Sequence, residues 1–405
     1  MISIEEAFER LMAAIAPLPP VEVSLEYAYG RVVAEEIRAD RDVPAADRSA
    51  MDGFAVHAAD VREAGAILRV AGEVRAGEPA PAAELPRGEA VRIFTGALLP
   101  PGADAVVMLE ATELGSDPAR VRLCEPAERG QNVRARASDR RAGEIVLLPG
   151  DPIHAAEMAA LAALGRPRVR VHRAPDVRIL ATGDEVVPVA ATPGDHQVRN
   201  SNAWGLRAQL RELGLTARDG GIAPDDREGL RARLREGLQG DVLLVTGGVS
   251  VGAYDLVADV LKGEGLTVLF HGVAMRPGKP LLAGRCGDCL VFGLPGNPLS
   301  TFATFLVFVG PALRRLMGYT RCAPPCLKAT LRAPLARRPG RTSLHVGRVL
   351  REGDGLVAEP LPSTGSGDVL SLVRANAFLV TEPGKEPQPE GSTIAALLWP
   401  EAGHR

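Results

Sequence analysis

The chain has 405 residues, and its 47 Lys+Arg against 50 Asp+Glu give a net charge of −3, which excludes a generally basic nucleic-acid-coating protein. With 46% hydrophobic and 24% charged residues, it carries too much apolar side chain for intrinsic disorder and enough to bury a core. At roughly 100 to 200 residues per domain, the length suggests two to four domains.

The longest apolar helix candidate, Leu299 to Leu316, contains Ser300, Arg314 and Arg315, so no bilayer-spanning segment is expected. Met1 to Arg10 carries Glu5, Glu6 and Glu9, the reverse of a basic secretory leader, and a cytoplasmic location is expected. Five cysteines (Cys124, Cys286, Cys289, Cys322, Cys326) are too few and too oddly numbered for a disulfide framework. Cys286/Cys289 and Cys322/Cys326 have zinc-like spacing, but CGDC reads as a hairpin tip and CAPPC as a linker, which favours ordinary reduced thiols.

Ser3 followed by Glu6 and by Ile4, Phe8, Leu11, Met12 and Ile15 reads as a capping box opening an amphipathic helix that ends before Pro17. A short strand and a helix are predicted between Val21 and about Pro44. From Ala45 to about Pro149 short alternating runs broken by Gly and Pro (VRIFTG, DAVVMLE, RVRLCE, EIVLLPG) predict a mostly β domain. The helical stretch His154 to Leu164 and the strand RVRVHR form a piece too small to fold alone, which pairs with residues 21–45.

From Asp176 strands and helices alternate. Strand VRILATG, helix Trp204 to Leu213, strand Thr216 to Gly221, helix Arg227 to Leu238, strand VLLVTG, helix Tyr254 to Leu261 and strand LTVLFH come first. Then PLLAG, LVFGLP and the helix Leu299 to Met317 follow. Such alternation predicts a parallel sheet covered on both faces. Residues 321–405 return to short strands and predict a small β-barrel or sandwich.

In open parallel sheets ligands sit outside the carboxyl ends of the strands, so the loops there matter most. Three stand out: Thr182-Gly183-Asp184-Glu185, Thr246-Gly247-Gly248-Val249-Ser250-Val251-Gly252, and Leu294-Pro295-Gly296-Asn297-Pro298. The glycine loop lets backbone N–H groups approach a phosphate or another oxyanion, Gly247, Gly248 and Ser250 being more than a tight turn requires. Asp255, Glu185, and the pair Asp225 and Asp226 read either as helix-cap and dipole partners or as groups around a divalent cation, and carboxylates at three separate places near one edge favour the cation. Asn297 and Ser300 can aim side chains at a ligand, and Arg276 and Lys279 around a Pro-Gly turn suit an anionic substrate. The β domain adds Arg48-Ser49-Ala50-Met51-Asp52-Gly53, Thr95-Gly96, and Arg129, Arg134, Arg136, Arg140 and Arg141 beside Asn132 and Asp139.

Together SAMDGFAV at 49–56, FTGALLPPGADAVVMLE at 94–110, GQNVRARASD at 130–139, ATGDEVV at 181–187, TGGVSVGAYD at 246–255, AMRPGKP at 274–280 and GLPGNPLS at 293–300 resemble the MoeA-type molybdopterin molybdenumtransferases, the family that also supplies the C-terminal domain of gephyrin. The resemblance runs through essentially the whole chain. It implies a multidomain α/β plus β fold. The parallel-sheet catalytic domain is expected from residues 1–20 and 174–320, a discontinuous linker domain from 21–45 and 150–173, an inserted β domain from 46–149 and a C-terminal β-barrel from 321–405.

The implied reaction takes adenylylated molybdopterin and molybdate, with Mg2+, to molybdenum cofactor and AMP. The implied assembly is a homodimer whose cleft is shared between subunits, with the adenylyltransferase and molybdoenzyme apoproteins as transient contacts. Carried over residue by residue, Asp52, Thr95 and Asp139 match functional positions of the β domain, Glu185, Asp225 and Asp255 the acidic set, Arg276 and Lys279 the cationic pair, and Pro295 and Pro298 the proline loop. Glu185 and Asp255 are then Mg2+ or pyrophosphate-positioning ligands, Thr182 joins the substrate-binding loops, and Arg341, Arg348 and Ser366 are further oxyanion candidates. A lysine that some members carry just before AMRPGKP is Gly272 or His271 here, and Arg276 stands where lysine is usual. The alternatives left open are molybdopterin adenylylation, a related nucleotide pyrophosphatase, and a gephyrin-like scaffold.

Overall fold

The computed structural model describes residues 1–248 and 256–399. The chain forms two compact units, one of Met1–Glu35, Pro149–Ala159 and Arg166–Arg405, the other of Glu36–Leu148 with Ala160–Gly165.

The first unit opens with the helix Ile4–Ala13, whose N-cap Ser3 side chain accepts the Glu6 N–H at 3.1 Å. Glu5 and Glu6 in its first turn and Arg10 in its last complement the helix dipole, and Ala7 and Leu11 are buried. The next segment departs from expectation: between Val21 and Pro44 the described helical structure is the single 3-10 turn Leu25–Tyr27. Its backbone groups go elsewhere. Gly30 N–H donates to Ile153, Val33 N–H to Asp151 and Ala34 N–H to Arg170, while Pro20–Ser24 pairs antiparallel with Arg168–His172. Long-range partners outbid a helix that has only local bonds to offer.

A six-stranded sheet forms the centre of this unit, in the order Ala217–Ala223, Val177–Thr182, Val242–Thr246, Cys289–Leu294, Leu282–Cys286, Thr267–His271. The first four strands pair in parallel, as expected, while Leu282–Cys286 runs antiparallel to both its neighbours, as the hairpin tip read in CGDC requires. Cys286 and Cys289 are direct partners across Gly287-Asp288, and a two-residue turn can join only antiparallel strands. All five residues of Val242–Thr246 are buried, with one apolar cluster around Phe292 and Phe308 and another around Leu243 and Leu261.

The helix Pro298–Leu316 is long and apolar enough to cross a membrane by length and composition, yet 83% of that window is buried in the protein. Its middle, Phe305–Val309, is π-helical and fully buried, and Pro311 follows. A proline cannot donate to the preceding turn, so widening that turn accommodates it without breaking the helix.

After this helix the strands Cys326–Leu331, Thr342–Glu352, Gly355–Pro360, Ala377–Thr381 and Thr393–Leu398 close into a five-stranded barrel, Thr342–Glu352 pairing with both Gly355–Pro360 and Ala377–Thr381. The two-residue strand Met275–Arg276 lies parallel to Thr342 and Ser343, joining the RPGK turn to the barrel.

The second unit is built on another six-stranded sheet, from Gly53–Val56, Ala66–Val74, Glu89–Ile93, Ala105–Met108, Thr112–Leu114 and Arg120–Leu123. A Cβ at Gly53 would lie 1.9 Å from the Val107 carbonyl oxygen, so only glycine lets these two strands pair. The chain thus has the multidomain α/β plus β architecture expected of it, with the barrel-or-sandwich choice decided as a barrel.

Candidate functional site

The parallel strands Val177–Thr182, Val242–Thr246 and Cys289–Leu294 end at one edge of the sheet and deliver the three loops picked out from sequence. Close approach there demands glycine. Gly247 has φ +90°, and an added Cβ would stand 2.5 Å from the Thr182 carbonyl oxygen; at Gly248, with φ +65°, it would stand 2.5 Å from Val257 Cγ2. Thr182 is buried, its hydroxyl donating to Thr246 O at 3.4 Å. Glu185 is exposed and folds its carboxylate back over Gly183, so that a Cβ at Gly183 would meet Glu185 Oε2 at 2.5 Å.

These loops wall a cleft of about 710 Å3 lined by Thr182, Glu185, Gly247, Gly248, Pro295, Asn297 and Pro298, together with Arg199 and Asn202. Asn202 Nδ2 donates to Gly296 O at 2.7 Å and holds the proline loop, while its buried Oδ1 has no hydrogen-bond partner among the described residues.

A second cleft, of about 470 Å3, lies between the RPGK turn and the barrel. Arg276, Lys279, Arg338 and Arg341 line it with Ser300, Ser366 and His345, and among the described residues no carboxylate does. Gly278, at φ +111°, sits so close to the helix that a Cβ would meet Thr304 Cγ2 at 2.7 Å. Burial, reinforced by the nearby Arg276 charge, holds His345 below its ordinary pKa, and Thr381 Oγ1 sits 3.1 Å from its Nε2. The cleft's positive charge therefore comes from the guanidinium groups of Arg276, Arg338 and Arg341 and the Lys279 ammonium.

The two clefts share Pro280, Pro295 and Asn297 and so adjoin. At their junction Asn297 Nδ2 donates to Ser366 Oγ at 2.9 Å and Leu299 N–H to Ser366 O at 3.0 Å, tying the proline loop to the barrel segment. One side offers glycine-bared backbone and a carboxylate. The other offers four cations. Such a pair of neighbours suits a ligand with phosphate groups beside a second, compact anion.

Of the expected residues in this unit, Asp225, Arg348 and Asp226, the last the N-cap of the helix Arg227–Gly237, stand outside both linings. Asp225 and Asp184 each accept the other's backbone N–H, at 3.4 and 3.2 Å, which ties two loops together. Arg348 pairs with Glu359 at 2.8 Å, its direct neighbour across the barrel strands. Ser250 and Asp255 lie outside the described residues.

In the second unit Asp52 Oδ1 accepts both the backbone N–H and the hydroxyl of Thr95, each at 2.7 Å. Those two bonds, the backbone one first, hold its carboxyl below the usual range. Asp139 is ion-paired with Arg134, and the loop between them carries Ala137 at φ +58°. Arg338, His345, Arg199 and Asn202 had not been singled out. For Arg338 the signal was present: in RRPGR a Pro-Gly turn separates two arginines, which places both on one face.

Residues 2–165 match the family model of the MoeA N-terminal region (domain I and II), residues 178–315 that of a probable molybdopterin binding domain, and residues 328–399 that of the MoeA C-terminal region (domain IV). Two similar proteins are named molybdopterin molybdenumtransferase. The one from Staphylococcus aureus is 32% identical over 401 residues, covering 98% of this chain and 95% of its own. The one from Staphylococcus epidermidis is 31% identical over 402 residues, with the same coverage. Among solved structures, a molybdopterin biosynthesis MoeA protein from Pyrococcus horikoshii aligns with a TM-score of 0.82 at 32% identity, over 98% of this chain and 99% of that one. A second, from Pyrococcus horikoshii OT3, aligns with a TM-score of 0.84 at 28% identity, over 98% and 100%.

Proposed function

The chain belongs to the molybdopterin molybdenumtransferases, transferases of molybdenum cofactor biosynthesis, and from that membership we propose that it inserts molybdate into adenylylated molybdopterin with Mg2+-dependent release of AMP. The observation that carries this reading is the pair of adjoining clefts, one glycine-bared and carboxylate-bearing, the other cationic and, among the described residues, without acid.

The reaction cleaves the phosphoanhydride that joins AMP to the molybdopterin phosphate and attaches molybdenum to the dithiolene sulfurs. It needs two anions held side by side while phosphate charge is neutralised. Gly247, Gly248 and Thr182 form the wall for the adenylyl phosphates, with Ser250 in the same loop. Arg276 and Lys279, supported by Arg341, Ser300 and Ser366, hold molybdate. Pro295, Asn297 and Pro298 form the ridge between the two.

The exposed Glu185 carboxylate fits a hard cation that keeps some of its waters and takes its remaining ligands from substrate phosphates. Glu185 would hold Mg2+ together with Asp255, and the ion would supply positive charge against the phosphates. Asp225 acts by holding the Glu185 loop in place.

The reading extends to a homodimer in which the Asp52–Thr95 and Asp139 loops of a second copy serve the same reaction. It also includes a cytoplasmic setting and transient contact with the adenylyltransferase upstream and apoenzymes downstream. The four-part division of the chain drawn from sequence is part of the same proposal.

The test is AMP release from adenylylated molybdopterin with Mg2+, with and without molybdate, for the wild-type chain beside Asp255→Ala and Lys279→Ala. Molybdate-dependent release that both substitutions abolish is the expected result. Equal release without molybdate would make the protein a pyrophosphatase, and no release from the folded chain would favour adenylylation or scaffolding instead.

A further inference from the structure

The cationic cleft contains one arginine more than the residues assigned to molybdate above. Arg338 and Arg341 are bridge partners across Pro339-Gly340, with Gly340 at φ +71°. Proline followed by a positive-φ glycine is the signature of a type II turn, and residues directly opposite across a two-residue turn project from the same face. Both line the cleft that Arg276 and Lys279 enter from the other wall.

The turn is fastened along its length. Arg337, between Ala336 and Arg338, donates Nε to Glu382 O and Nη2 to Pro383 O, each at 2.9 Å. Gly384 N–H donates to Arg338 O at 3.2 Å, and Leu335 and Gln388 exchange backbone bonds at 3.0 and 2.8 Å. Of three arginines in RRPGR, the first is committed to main-chain carbonyls and the other two are left facing the cleft. With no carboxylate among the described lining residues, these guanidiniums repel one another until an anion enters. The repulsion falls most steeply for the anion with the most charge in the smallest volume, and each guanidinium presents a planar fork that fits two oxygens of a tetrahedral centre.

We propose that Arg338 is a specificity-determining ligand of this site, forming with Arg341 a two-guanidinium clamp that selects tetrahedral dianions over monoanions of the same shape. This rests on the reading above that the cleft takes molybdate.

The test is calorimetric titration of the full chain with sodium molybdate and, separately, with perchlorate, a tetrahedral monoanion. The variants are Arg338→Ala, Arg338→Lys and, as a check on the cleft itself, Lys279→Ala. Arg338→Ala should weaken molybdate binding roughly tenfold to a hundredfold, the range of one lost charge-assisted hydrogen-bond set, and perchlorate binding several-fold less. Arg338→Lys should recover only part of the loss, because the ammonium keeps the charge without the fork. The Arg338 side chain is exposed, so the urea midpoint should not move. If Lys279→Ala weakens molybdate while Arg338→Ala does not, the clamp is wrong and the molybdate reading stands. If Arg338→Ala weakens both anions by the same factor, Arg338 contributes field and not selectivity. If the wild-type chain binds no molybdate, the reading of the cleft falls and the clamp falls with it.

Discussion

Replacing Gly247 with alanine perturbs its cleft at the point where backbone approaches closest, and three glycines of the same unit separate the causes. At Gly296 no positive φ is required and, among the described residues, an added Cβ would meet only Gly247 Cα at 3.6 Å, an ordinary contact. At Gly272 the backbone is at φ +87° but the nearest atoms stand at 3.6 and 3.8 Å, so only conformational strain is introduced. At Gly247 φ is +90° and the Cβ would lie 2.5 Å from the carbonyl oxygen of Thr182, a neighbouring strand that cannot give way without moving the sheet edge. A left-handed conformation costs an L-residue about 1–2 kcal/mol, and forcing atoms into a packed site costs about 1–3 kcal/mol more. Each Gly→Ala change also gains about 0.4–1 kcal/mol by restricting the unfolded chain. The net expectation is neutral or slightly stabilising for Gly296→Ala, a loss of about 0.5 kcal/mol for Gly272→Ala, and a loss of about 2–4 kcal/mol for Gly247→Ala. Urea unfolding followed by circular dichroism reads the order. Molybdate-dependent AMP release should fall for Gly247→Ala at urea concentrations where the protein is still folded, because Thr182 and the glycine loop are forced apart. A Gly247→Ala protein within about 0.5 kcal/mol of Gly296→Ala would refute the reasoning.

In the second unit, Gly53→Ala should destabilise by about 3 kcal/mol or more, since the Cβ would sit 1.9 Å from Val107 O; proteolysis should then begin within residues 36–148. Asp241 accepts Arg173 Nη1 and Nη2 at 2.6 Å each and the Asp176 N–H at 2.7 Å, and Arg173 first of all holds its carboxyl below the ordinary range. With the folded pKa lowered, that stabilisation is present above about pH 3.9 and lost as pH falls further, so Asp241→Asn should flatten the acid limb of the stability curve. Part of the pair is solvated, which limits its contribution to about 1 kcal/mol. His345 is likewise lowered, chiefly by burial, so the unfolded chain takes up its proton first and stability should decline as pH drops below about 6.5. His345→Gln should remove that component of the slope in pH-dependent thermal melts, and saturating molybdate should reduce it in the wild type by offsetting the charge of Arg276.

The sequence alone determined whatever rests on local chemistry. Ser3 and Glu6 marked the first helix because a cap is satisfied within one turn, and the apolar runs VRILA, VLLV and LVFG marked strands buried on both faces, which put their glycine and proline loops at one edge. It failed where bonds close over long distances. Residues 21–44 carry helix-compatible side chains, yet their N–H groups are taken by Asp151, Ile153 and Arg170. Arg341 and Arg348 looked alike as candidates, and the barrel register parted them, setting Arg348 against Glu359 and leaving Arg341 opposite Arg338 in the cleft. Composition and spacing say which side chains bear charge, but a charge acts through its neighbours. Strand pairing chooses those neighbours from residues far apart in the chain, as when Met275 and Arg276 take their places beside Thr342 and Ser343.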